Sequence, residues 1–323
     1  MSFPAQSGGT RATAFQAKDF IETRHGLFFA VLDSTLEDNR VMAFLRYLKK
    51  AGQYHKFDTE AAKRYLTEHA PHHLFRSSRL DADVHGVPLA EISHHHQPHL
   101  RMMELRQTSA TDAVMHDIQQ LMALYHEHGI DLTSLGVTGS LLIGAQNPAS
   151  DIDLVVYSRS TFQYLRELNQ TFIQQGKLGN LNQADWQLSY QRRQCELSFD
   201  RYLWHEQRKF NKALINGRKF DLSLLTPAPE STNRYVKKGF TKITARVCND
   251  QWAFDYPARY QIEHPDIFEI VSFTATYTGQ ALAGERLSAA GWLEQCQQTG
   301  MVRLVVGSSR EAKGEFIEVI SGD

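Results

Sequence analysis

One stretch of this chain narrows its possible folds more than any other: GVTGSLLIGAQNPASDIDLVVY, residues 136–157. It reads as a short strand (Leu135–Thr138), a Gly139-Ser140 corner, an apolar turn of helix (Leu141–Ile143), a loop through Asn147-Pro148, and a strong strand over Asp151–Tyr157. Alternate side chains of a strand share a face. Asp151 and Asp153 therefore point the same way, and Ile152 and Leu154 point into a core. Two carboxylates so close repel each other, and a cation between them relieves the repulsion. Hard oxygen donors suit Mg²⁺ or Mn²⁺, with phosphate oxygens completing the octahedron. The corner suits the other half of such chemistry. Backbone N–H groups at a helix start attract phosphate. Gly139 lacks the Cβ that would obstruct close approach, and the Ser140 hydroxyl adds a donor. Ten residues lie between Ser140 and Asp151, room for a helical turn and a returning strand.

A metal pair of this kind predicts a third carboxylate on a neighbouring strand. Asp221 in KFDLSLL (219–225) is the candidate, because Phe220, Leu222 and Leu224 would face the core and leave Asp221 on the opposite face. Glu196 and Asp200 are reserves in a stretch expected to be helical. Just before Asp221 lies a basic run, Arg208, Lys209, Lys212, Arg218 and Lys219. It fits a solvated helix face or a phosphate- or RNA-contacting patch. Trp204 and Phe210 beside it are expected to pack in the core. The candidate nucleotide-binding residues are thus Gly139, Ser140, Ser150, Arg208 and Lys212, and the candidate metal and catalytic residues Asp151, Asp153 and Asp221. The glycines at 136, 139 and 144 do not have the spacing of a dinucleotide fingerprint, and no Gly-Lys-Ser/Thr follows.

The rest of the chain sets the context. It has 323 residues, 42% hydrophobic and 22% charged, and a formal net charge of −1, so no global basic field marks it for nucleic acid. Its three cysteines are far apart and form no C-x-x-C pair, which fits a reducing cytoplasm and argues against a disulfide framework. No apolar run approaches the roughly 20 residues of a membrane span. A disordered start (1–17) precedes an N-terminal segment (18–108), in which 20–32 and 40–48 pair as a β-hairpin and 61–69 forms a short helix. Histidines 72, 73, 85, 94, 95, 96 and 99 match no zinc pattern and predict a histidine-rich surface loop. The core spans 109–228. Within it Ser160 caps a helix whose apolar face is Phe162, Leu165, Leu168 and Phe172, and 183–214 is polar and helical. Residues 229–323 are rich in Val, Ile, Phe, Tyr and Thr with glycine punctuation, the pattern of a small antiparallel sheet or barrel. An OB-like role in nucleic-acid binding there would need exposed aromatics such as Tyr256, Tyr260 and Tyr277. The fold class is α+β.

The Gly-Ser pair, the gap of about ten and the D-h-D-h strand resemble the signature of the polymerase-β nucleotidyltransferase superfamily. More narrowly, GVTGSLLIG and SDIDLVVY resemble an archaeal-type family of predicted nucleotidyltransferases. RHGLFFAVL, RVMAFLRYL, DYPARYQI and IVSFTATYTGQALAGE are similar to it as well, so the likeness runs from about residue 20 onward. It implies that Gly139 and Ser140 hold a nucleoside triphosphate and that Asp151 and Asp153 hold two divalent ions, Mg²⁺ or Mn²⁺. The expected reaction moves a nucleoside monophosphate to an acceptor with release of pyrophosphate. RNA is the favoured acceptor; a protein hydroxyl and a small molecule stay open. So do a non-catalytic nucleotide or RNA sensor and a toxin–antitoxin component on the same fold.

Overall fold

The computed structural model describes residues 15–78, 82–226, 233–307 and 312–320. The expected disordered start lies outside the described residues as far as residue 14, and so do residues 227–232, on either side of the expected boundary at 228. Phe15 is already packed against His95, with ring centroids 4.6 Å apart. The chain divides into two compact units: 1–104 with 137–146, and 105–136 with 147–323.

The first unit is a seven-stranded sheet with one helix at its side. Its elements are β1 (Phe20–Thr23), β2 (Leu27–Glu37), β3 (Arg40–Lys50), β4 (Gln53–Lys56), α1 (Thr59–His69), β5 (Leu74–Ser77), β6 (Ala82–Pro88), β7 (Ile92–His96) and the start of α2 (Pro98–Gln107). The strand order is β5-β6-β3-β2-β1-β7, with β4 paired to β3. The expected hairpin is β2–β3, but β2 runs on to Glu37 and turns through Asp38-Asn39 alone, both at positive φ. The sheet is apolar on both faces, which explains the unbroken hydrophobic runs. Ile21, Phe29, Val41 and Leu45 meet Ala62 and Leu66 of α1. Phe20, Phe28 and Tyr47 on the other face meet Leu142 and Ile143. Burying each of those last two stabilises the unit by about 1.5–3 kcal/mol. Residues 139–144 form hydrogen-bonded turns rather than the expected turn of helix.

The second unit begins with α3 (Ala113–Glu127). It continues through β8 (Leu135–Thr138), β9 (Ile152–Val156), α4 (Arg159–Gln174), α5 (Gln183–Arg193), α6 (Phe199–Gln207), β10 (Lys212–Ile215) and β11 (Arg218–Leu224). The sheet order is β10-β11-β9-β8, with β8 contributing its Leu135–Gly136 end to this unit. The predicted apolar face of α4 is buried at Phe162, Leu165, Leu168 and Phe172, and α4 lies against β9, β10 and β11. Its N-cap is Ser158, whose Oγ accepts from Thr161 N, rather than Ser160. The expected polar helical region over 183–214 breaks into two helices and then the edge strand β10. An Asn182–Asp185 capping box starts α5.

The last six strands are β12 (Tyr235–Asn249), β13 (Ala258–Glu263), β14 (Glu269–Ser272), β15 (Arg286–Cys296), β16 (Val302–Val306) and β17 (Phe316–Val319). Their order is β12-β13-β14-β16-β15-β17, and β12 also pairs with β15. Five strands therefore close on themselves in an OB-like ring, with β17 added beside β15. The arrangement departs from a purely antiparallel sheet at one pair, since β14 and β16 run parallel. Gly291 makes the closure possible. There β15 leaves β17 and joins β16, and a Cβ would stand 2.1 Å from Val305 O. One apolar cluster joins Trp186 of α5 and Tyr202 of α6 to Tyr260, Ile270, Leu287 and Leu304 of the barrel. Among the described residues no helix is long and apolar enough to cross a membrane.

Candidate active site

The acids come together through strand register. β9 and β11 are parallel neighbours, and Asp153 stands directly beside Asp221. Side chains paired in this way share a face, with backbones about 4.8 Å apart. Asp151 is two residues along from Asp153 on that face. The alternation beneath it fixes the arrangement: Ile152, Leu154, Phe220 and Leu222 are all at most 2% exposed, so the acids are turned to the opposite side. Slipping either strand by one residue would bury the carboxylates and expose the core.

Two observations describe the electrostatics of this face. Lys219 Nζ lies 2.6 Å from Asp151 Oδ2, an ammonium already set against one carboxylate. Asp221 Oδ1 is buried and accepts no hydrogen bond among the described residues. A buried carboxylate oxygen without a donor is costly unless a cation meets it. The donor set is all oxygen on adjacent positions, which suits a hard divalent ion. The residues present thus fit Mg²⁺ or Mn²⁺ at Asp151, Asp153 and Asp221.

Arg218 holds the approach to Asp151. Its Nε donates to Asp117 Oδ2 on α3 at 2.6 Å, and its Nη1 donates to Pro148 O and Ser150 O at 2.8 and 2.7 Å. Ser150 closes the preceding turn, its Oγ accepting from Asn147 N at 3.0 Å and its N donating to Asn147 O.

The basic residues expected to meet phosphate have partners within the protein. Lys212 is paired with Asp221 in the β10–β11 register, and its ammonium donates to Glu206. Glu206 also accepts from Lys209, and both residues are nearly inaccessible. Burial pushes the Glu206 carboxyl up, but the two lysines outweigh it and hold it low. Burial lowers Lys209 to about 8, against the pull of Glu206. Arg208 pairs with Glu285 at 2.6 Å and lies over the ring of Trp204. Trp204 is 42% exposed, not packed in the core as expected. Of the reserve acids, Glu196 accepts from Gly314 N at 2.8 Å, and Asp200 lies in the first turn of α6. Lys219, Arg218 and Glu206 take roles that the sequence alone does not mark. For Lys219 a signal exists: Lys219-Phe-Asp221 laid in register against Asp151-Ile-Asp153 sets a cation opposite an acid.

In the first unit, Gly139 has a φ of +68°, and the turn it opens is closed by Ala145 N donating to Ser140 O at 2.9 Å. The turn is pinned from three sides. Thr138 Oγ1 donates to Lys18 O at 2.6 Å, Tyr54 OH to Ile143 O at 2.8 Å, and Arg101 Nε to Leu141 O at 3.1 Å. Several of the histidines are built into this unit's sheet instead of forming a surface loop. His95 meets Asp19 at 2.7 Å, His96 meets Glu22 at 3.1 Å, and His85 Nδ1 accepts from Leu45 N at 2.8 Å. His72 and His73 converge on Glu91, at 3.1 and 3.3 Å, near enough to hold a metal ion.

Comparison with known proteins gives two matches. The nucleotidyltransferase domain family matches residues 124–243. The "Uncharacterized protein MJ1086" of Methanocaldococcus jannaschii is 32% identical over 333 residues, which cover 94% of this chain and 98% of that protein. No solved structure matches.

Proposed function

Since the chain belongs to the polymerase-β-type nucleotidyltransferases, and within them to an archaeal-type family, we propose that it transfers a nucleoside monophosphate from a nucleoside triphosphate to an acceptor and releases pyrophosphate. The observation that carries the proposal is the register that sets Asp221 beside Asp153, with Asp151 two positions along the same face. Asp151 and Asp153 would hold the divalent ions, Mg²⁺ or Mn²⁺, and Asp221 would complete the set as a third ligand or take the proton of the attacking hydroxyl. Bound there, the ions supply a more acidic hydroxyl and neutralise charge on the leaving pyrophosphate. Gly139 and Ser140 bind the triphosphate tail through backbone N–H groups and the serine hydroxyl. Ser150 shapes the turn before Asp151. Lys219 offsets negative charge at Asp151, and Arg218 fixes the backbone from which Asp151 projects. Arg208, paired with Glu285, and Lys212, paired with Glu206, support the acid face from within the fold. RNA is the proposed acceptor, and the cytoplasm the proposed location.

The test is to incubate the full chain with each α-labelled triphosphate, Mg²⁺ or Mn²⁺, and a total cell extract. Label should pass to a nuclease-sensitive product with release of pyrophosphate. Protease-sensitive product would move the acceptor to protein. Nucleotide bound without any pyrophosphate released would replace the transferase by a sensor.

A further inference from the structure

The strand β12 carries a second charged surface. Between Tyr235 and Asn249 there are four cations, Lys237, Lys238, Lys242 and Arg246, and no acidic residue. All four are exposed, in a chain whose net charge is −1. Alternation divides the strand: Ile243, Ala245 and Val247 enter the barrel core, leaving Phe240, Lys242, Thr244 and Arg246 outside. Lys237 and Lys238 sit at a bulge, and no ion pair to either occurs among the described residues.

Aromatic rings stand between these cations. Phe240 is 48% exposed and Trp292 37%, and the two are direct cross-strand partners on the outer face, with centroids 5.7 Å apart at 81°. Lys242 Nζ lies 5.3 Å from the ring centre of Phe316 on β17. Arg303 lies 3.3 Å over the ring of Tyr235. Of the three tyrosines expected to serve such a surface, Tyr260 and Tyr277 are inside the barrel and Tyr256 is 52% exposed.

We propose that this face of the barrel, centred on Phe240 and Trp292 and edged by Lys237, Lys238, Lys242 and Arg246, binds single-stranded nucleic acid. Ammonium and guanidinium groups meet phosphates, and unpaired bases stack on the exposed rings. Every base offers a π-face, so this recognition tolerates sequence, and one OB-type barrel holds about 4–16 nucleotides. A duplex keeps its bases stacked inside and offers the rings nothing. An acidic protein would satisfy the cations but gives no reason for paired exposed rings between them. As the means of holding the acceptor strand, this face rests on the transferase reading above; as a binding surface it does not.

The experiment is fluorescence anisotropy of the full chain without triphosphate or divalent metal. The probes are fluorescein-labelled 12-mers of oligo(U) and oligo(dT) and a 12-base-pair duplex, from 50 to 200 mM salt. One or both single strands should bind, at least tenfold tighter than the duplex. Phe240→Ala should weaken binding about fivefold or more. Lys238→Ala with Lys242→Ala should flatten the slope of log K against log salt by about 1.4, near 0.7 for each phosphate no longer neutralised. Asp153→Asn should leave binding intact, which separates a failed binding face from a failed active site. Circular dichroism checks that the variants are folded. No binding of either single strand, duplex bound equally well, or binding indifferent to Phe240 and to both lysines in folded variants would each overturn the proposal.

Discussion

Two stretches of the second unit are rich in lysine and arginine, and the fold uses them in opposite ways. Between 208 and 219 every cation has an acidic partner: Arg208 has Glu285, Lys209 and Lys212 share Glu206, Arg218 has Asp117 and Lys219 has Asp151. Along β12 the cations face solvent, with aromatic rings between them. In sequence the first stretch looks the better candidate for binding a polyanion, being denser and closer to the acids. The structure shows it to be a brace that fixes α6, β10 and β11 around the acid face. A basic run is informative only once the positions of the acids are known, and here Asp117 and Glu285 lie far from it along the chain.

The largest difference between the two basic stretches is expected at Lys209. Lys209→Ala leaves Glu206 buried with one lysine fewer, and removing one member of a buried pair costs about 3–5 kcal/mol. Urea denaturation should show a loss of that order, whereas Lys242→Ala on β12 should stay within about 0.5 kcal/mol. Equal effects from the two substitutions would abolish the distinction.

The next effect is a pH dependence shared by the two units. His85 in the first unit and His205 in the second are both lowered to about 4, chiefly by burial. Each also accepts a backbone N–H that protonation would evict, from Leu45 at 2.8 Å and from Val319 at 3.0 Å. The unfolded chain binds these protons from about 6.5 downward, while the folded chain resists until about 4. Stability therefore falls as pH drops from about 6.5 to about 4, by at most about 3 kcal/mol for each histidine. Melting followed at pH 7, 6 and 5 should show the decline, and His205→Gln should flatten the second unit's share of it.

The smallest effect is expected on β12. Phe240→Ala should change stability by less than about 1 kcal/mol, because the ring is half exposed and its loss opens no cavity. A loss of about 3 kcal/mol, the size typical of a buried aromatic, would make Phe240 a packing residue and not a binding one.

What the sequence makes legible follows the range of the interactions involved. Strand alternation and helical spacing are local, so the strand that carries Asp153 with Asp151 just before it, the strand containing Asp221 and the buried face of α4 can all be read from it. The proximity of Asp221 to the other acids depends on pairing between strands far apart in the chain, yet the three apolar residues around it are enough to give its face. The turn at 139–144 reads as helical because Leu141 and Leu142 form helices readily and Ile143 continues the apolar run. Tertiary packing decides otherwise, since Leu142 and Ile143 are wedges against Phe20, Phe28 and Tyr47. The histidines have no metal spacing, and only the sheet register shows that His95 and His96 are partners for Asp19 and Glu22. Closure of the barrel is also hidden, because it rests on the parallel pair β14–β16 and on the close passage at Gly291. Among the tyrosines that suggest exposed rings, two are core. The cations of β12 attract no notice in sequence because their exposure beside Phe240 and Trp292 depends on the pairing of β12 with β15.

The proposed transfer requires Asp151, Asp153 and Asp221 to serve one set of metal ions. Its most direct test is pyrophosphate release by Asp221→Asn beside Asp153→Asn and the unaltered chain, under saturating Mg²⁺ and triphosphate with an accepted acceptor. Both variants should lose about a thousandfold or more of the rate, equivalent to about 4 kcal/mol of transition-state stabilisation, while melting within a few degrees of the parent. Full activity in either variant would contradict the shared site.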